Sequence, residues 1–105
     1  MGEKRRDVEQ ILAESVDEGL KILGDSGKQA ILFYLEKNFS VRKHDIPKKP
    51  EAFADGLKKI FGEGAYVIQK VILENFYSKL GLKYEEKENY TFLDYLREVN
   101  HGEKH

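Results

Sequence analysis

The chain contains no cysteine, which excludes disulfides, thiolate zinc sites, iron–sulfur ligation and thiol chemistry in one step. Proline occurs only at Pro47 and Pro50, so it restricts the backbone in a single short stretch. No sign of charge dominates: eighteen Lys and Arg face nineteen Asp and Glu, leaving a formal charge of -1. Dedicated nucleic-acid binders usually carry a basic excess, because neutralising phosphates supplies most of their non-specific affinity. Long apolar runs are also missing. Ala30 to Leu35 is far too short to cross a bilayer, and the charged opening from Met1 to Asp7 has no apolar region behind it to make a signal peptide. A soluble, cytoplasmic protein without membrane insertion is the expectation.

What is present is enough for one core. The 105 residues are 40% hydrophobic and 35% charged, with six Phe and six Tyr, so apolar burial can repay the entropy of ordering a single domain. High, balanced charge with one Met and no Cys is the surface style of heat-adapted proteins.

Apolar spacing predicts an all-α fold, a compact irregular or orthogonal bundle of four to five helices spanning 1–105, with 1–5 and 100–105 frayed. The first helix starts near Arg5 or Asp7 and carries Val8, Ile11, Leu12, Ser15, Gly19, Ile22 and Leu23 on one stripe, widened by Val16 and Leu20. Ser15 and Gly19, four apart, suit a close crossing by another helix. Gly24 suits a left-handed turn, and Ser26 to Gln29 reads as a capping box. The second helix, about Gly27 to Asn38, then lies antiparallel to the first and buries Ala30, Ile31, Phe33, Tyr34 and Leu35. Val41 and Ile46 pin the proline-bearing connection, and Pro50 opens a third helix with Phe53, Leu57, Ile60 and Phe61 inward, stopped by Gly62. The fourth, about Gly64 to Leu80, is apolar around most of its circumference, as in a central helix or one covered by a second subunit. After a charged connection, Thr91 and Asp94 cap a final helix that turns Phe92, Leu93, Leu96 and Val99 inward, with Tyr95 near the edge.

No reactive constellation emerges. His44 beside Asp45 lacks a nucleophile, and His101 with His105 and Glu103 offers too few ligands for an evolved zinc site. Glu85, Glu86 and Glu88 lack the alternating oxygens and central glycine of a calcium loop, while Glu14, Asp17 and Glu18 read as a solvated face. Gly24 to Lys28 and Gly62 to Gly64 fall short of a phosphate loop. No cofactor is implied. Between Lys37 and Lys49 five cations face the single Asp45. Lys37, Arg42, Lys43, Lys48 and Lys49, extended by Lys58 and Lys59, form a candidate basic surface for nucleic acid. The tyrosines point elsewhere. Tyr66, Tyr77, Tyr84 and Tyr95, with Leu73, form a candidate protein interface on the fourth and final helices, because a tyrosine ring can be covered while its hydroxyl reaches a partner.

The segments Leu23 to Ser26, Ile31 with Leu35, Ile46 to Phe53, Ile60 to Ala65, Ile72 with Tyr77, and Phe92 with Tyr95 and Leu96 resemble a group of small archaeal helical domains, some placed as output domains in signalling proteins. The resemblance implies an all-helical fold and a cytoplasmic setting, and it brings no catalytic residue. The resulting expectation is a non-enzymatic, homodimeric interaction or signalling-output module. The alternative is a nucleic-acid accessory protein using the basic surface.

Overall fold

The structure, a computed structural model, describes residues 2–103, with side chains described from Val8 to Val99. Among these residues are five α-helices and no strand: α1 (Gly2–Leu20), α2 (Gly24–Phe39), α3 (Pro50–Phe61), α4 (Ala65–Lys79) and α5 (Phe92–Glu103). The all-α bundle is as expected. α1 begins at Gly2, ahead of the start near Arg5 or Asp7. The expected fraying at 1–5 and 100–105, and the tail containing His101 and His105, fall outside the described side chains.

The spacing of Ser15 and Gly19 works as expected, and α4 is the helix that crosses there. Ser15 is fully buried, and its hydroxyl donates to the Ile11 carbonyl at 2.8 Å, so no polar atom is stranded. A methyl group at Gly19 would stand 2.5 Å from Cγ1 of Ile72 and 3.4 Å from its Cα. Hydrogen at this position is what lets the two backbones approach. α1 consequently takes α4 as its principal neighbour, where an antiparallel α1–α2 pair was expected.

α2 differs from the sequence reading at both its start and its inner face. It begins directly at Gly24, whose φ of +80° follows a 3₁₀ turn over Lys21–Leu23, and its N-terminus has no side-chain cap. The Ser26 box is therefore not formed, because Ser26 already lies inside the first turn. Ile31 and Leu35 are buried as expected, but Ala30 is exposed, Phe33 is 64% exposed and Tyr34 is only half-buried. The inner stripe follows Ile31 and Leu35, one turn apart, onto α3, where Gly56 fits against Leu35 and Phe39.

The connection after α2 is a plug. Val41 and Ile46 are almost completely buried, and a 3₁₀ turn over Lys43–Lys48 carries the chain across α1. Asp17 is the polar anchor of this crossing, where a solvated face was expected. It pairs with Lys28 at 2.7 Å and Lys43 at 3.0 Å, which ties α1 to α2 and to the plug. The Lys28 hydrogen bond, reinforced by Lys43, holds its carboxyl below the ordinary value against the opposing effect of burial. Pro50 occupies the first turn of α3, Phe53 and Leu57 fill the centre, and Gly62 at φ +59° ends the helix.

α4 is central. Ala65, Ile68, Ile72, Leu73, Phe76 and Tyr77 are buried, facing α1, α3 and α5. Gly81 at φ +73° closes it. The Thr91 box forms with Asp94 in the role usually taken by Glu: Thr91 N–H donates to Asp94 at 2.9 Å, and Asp94 N–H donates to the Thr91 hydroxyl at 3.1 Å. α5 buries Phe92, Leu96 and Val99 together with Tyr95, which is interior where an edge position was expected; Leu93 is half-buried. Among the described residues no helix is long and apolar enough to cross a membrane.

Candidate functional site: a tyrosine groove

Tyrosine accumulates where α4, α5 and the connection between them meet, and four of the five candidate interface residues line one open groove of about 520 Å³ there. Leu73 and Tyr95 form its buried floor, Tyr84 is half-buried in its wall, and Tyr66 stands on its rim, 57% exposed. Tyr77 lies beneath, inside the core. Leu73, Tyr77 and Tyr95 thus hold the chain's own fold together, and the accessible aromatic surface belongs to Tyr66 and Tyr90. The opposite wall comes from Asp55 and Lys58 of α3.

The rings are held in place. Tyr84 meets Tyr77 edge to face at 5.5 Å and lies 5.2 Å from Tyr95, while Tyr90 meets Tyr95 at 4.8 Å. Such pairs contribute about 0.5–1.5 kcal/mol each beyond the area they bury. The hydroxyls of Tyr66, Tyr77, Tyr90 and Tyr95 are tied as well. Tyr66 donates to Glu86, which also binds the Lys70 ammonium at 3.1 Å. Tyr77 lies within donating distance of the Tyr95 carbonyl, at 2.9 Å, and Glu98, at 3.0 Å. Tyr95 accepts the Lys87 backbone N–H at 2.7 Å. Glu98 is a hub: it also pairs with the Lys87 ammonium and accepts from Tyr90 at 3.3 Å, and the Lys87 ammonium lies 4.9 Å above the Tyr90 ring.

The electrostatics favour fixed charges over proton transfer. Burial pushes the Tyr77 and Tyr84 hydroxyls well above their ordinary range, with Glu98 adding to the first and Tyr95 to the second. The Lys87 ammonium holds Glu98 low, and the Tyr66 hydroxyl followed by Lys70 does the same for Glu86. Near neutrality the Tyr66 and Tyr77 hydroxyls are therefore placed to donate to the Glu86 and Glu98 carboxylates.

The candidate basic residues do not converge in the same way. Lys48 and Lys49 line a separate cavity of about 490 Å³ with Arg97, whereas Lys58 belongs to the tyrosine groove. Lys49 and Lys58 sit at opposite ends of α3, roughly 14 Å apart along its axis. Lys43 is bound to Asp17, and the Lys37 ammonium lies 5.6 Å above the Phe33 ring. Arg42 and Lys59 are exposed. His44 is an exposed residue of the 3₁₀ turn, 3.9 Å from Asp45, and among the described residues no group of His, Asp and Glu is arranged to hold a metal ion.

Sequence reasoning missed Glu98, Glu86 and Lys87, which organise the tyrosines. Glu86 and Lys87 lie in a charged run that looks solvated throughout, and Glu98 looks like the outer face of α5. Neither protein-family models, curated proteins nor solved structures give a match to this chain.

Proposed function

We propose that the chain is a non-enzymatic, self-associating interaction module, with a second copy of itself as the partner of the tyrosine groove. The carrying observation is the placement of Tyr66 and Val67 in the first turn of α4, both more than half exposed, with Tyr66 on the groove's own rim. A two-fold contact requires one patch to supply both a projection and a recess. Here the α4 turn supplies the projection and the groove supplies the recess. The buried floor of Leu73 and Tyr95 lowers the entropy cost of association, because these side chains are already ordered before contact. Such a module suits an output domain in a signalling protein, where association relays a state and no reaction is needed.

Sedimentation across a dilution series tests this reading. A species of twice 12.2 kDa that dissociates on dilution, and that Val67→Glu abolishes without changing the helical circular-dichroism spectrum, supports it. A strict monomer at every concentration overturns it.

A further inference from the structure

The connection between α4 and α5 is built unlike the rest of the fold. Residues 82–91 contain no helix or strand. Positive φ marks a turn near each end, at Gly81 (+73°) and Asn89 (+65°), conformations that glycine and asparagine adopt at low cost. Backbone hydrogen bonds anchor only the margins, from Leu82 N–H to the Tyr77 carbonyl and from Tyr90 N–H to the Lys87 carbonyl. Among the described residues, no backbone–backbone bond joins Lys83 to Glu88 with the helical body. Side chains hold this strap instead. Tyr84 inserts against Tyr77 and Tyr95, Glu86 binds Tyr66 and Lys70, and Lys87 joins Tyr95 through its N–H and Glu98 through its ammonium.

We propose that this strap is the movable wall of the tyrosine groove and that Glu98 is its latch. Tyr84 and Tyr90, which line the groove, both belong to the strap. Swinging it outward removes one wall and uncovers the rings of Tyr77 and Tyr95 beneath. Glu98 controls this motion because its carboxylate joins two strap side chains, Lys87 and Tyr90, to Tyr77 of α4. The ion pairs are solvent-exposed, so each holds weakly and several must act together. Segments fastened in this way open in sub-global steps below the cost of unfolding the core. The inference rests on the groove being the partner site, since it assigns that site its regulation.

Amide hydrogen exchange on the full chain, in the Val67→Glu background so that association does not protect the strap, tests it. Opening predicts that the Lys87 amide, which the Tyr95 hydroxyl holds while the strap is closed, exchanges well ahead of the amides of Val16 and Ile72. Glu98→Gln is expected to speed the Lys87 amide by about tenfold with the core amides unchanged. Tyr95→Phe, which keeps the ring and removes the acceptor, speeds the Lys87 amide in particular. Exchange of strap and core at one common rate, or equal acceleration of both by Glu98→Gln, overturns the proposal. Exchange of the Lys87 amide that Glu98→Gln quickens while the core stays unmoved supports the movable wall even if sedimentation finds only monomer, a result that would remove self-association alone.

Discussion

At Gly19 two effects of one methyl group oppose each other. Alanine is better than glycine in a helix interior by about 1 kcal/mol, yet here its Cβ would meet Cγ1 of Ile72, a branch close to the α4 backbone with little room to retreat. Overpacking costs about 1–3 kcal/mol, so Gly19→Ala is expected to destabilise the protein on balance. The penalty should vanish in an Ile72→Ala background, where the added methyl partly fills the space left behind. Urea unfolding of the four variants in a double-mutant cycle reads this directly; equal effects in both backgrounds would contradict the contact. This feature was legible in the sequence, because a serine and a glycine four apart on an apolar stripe have few other uses. Ser15 completes the reading, since its hydroxyl is satisfied within its own helix and leaves the outer surface smooth.

The helices differ in how plainly they declare their inner faces. α1 and α3 alternate charged and apolar residues with helical period, so Val8, Leu12 and Val16, or Phe53 and Leu57, can be assigned, while Ile22, expected on the same stripe, is exposed because α1 gives way to a 3₁₀ turn after Leu20. In α2 the six residues from Ala30 to Leu35 are all apolar, and periodicity offers no way to choose among them. Only contact with α3 selects Ile31 and Leu35 and leaves Phe33 outside. Phe33→Ser is therefore expected to change stability by no more than about 0.5 kcal/mol, whereas Phe53→Ala, at a fully buried site, should cost about 3–5 kcal/mol. Thermal unfolding of the two variants separates them, and a large loss for Phe33→Ser would place that side chain in an interface. The proline-bearing plug was also readable, because Val41 and Ile46 are isolated apolar residues in a charged, irregular stretch.

For the molecule as a whole, stability should form a plateau bounded by two kinds of group. Asp17 and Glu98 have carboxyls held below their ordinary values, chiefly by Lys28 and Lys87 respectively. Their contribution is complete above the unfolded carboxylate values and is lost as pH falls through the folded ones. Tyr77 and Tyr84 have raised values through burial, so their contribution holds below the unfolded tyrosine value of about 10 and is lost as pH rises beyond it. Urea midpoints measured from neutrality down to about pH 3 should fall, and Glu98→Gln should flatten that slope; an unchanged slope would show that Glu98 gains nothing from its partners on folding. The site itself was half legible. Which residues were aromatic could be read, but their assembly into a groove depends on how the strap returns across α4, bringing Lys87 to Glu98, and no local pattern encodes that path. The seating of α1 on α4 also bears on the order in which the molecule is made. Gly19 and Ile72 meet across about fifty residues of chain, a separation that delays folding. A nascent chain therefore carries its first helix with one apolar side uncovered until α4 has been synthesised, and that interval is when the protein most needs shielding from its neighbours.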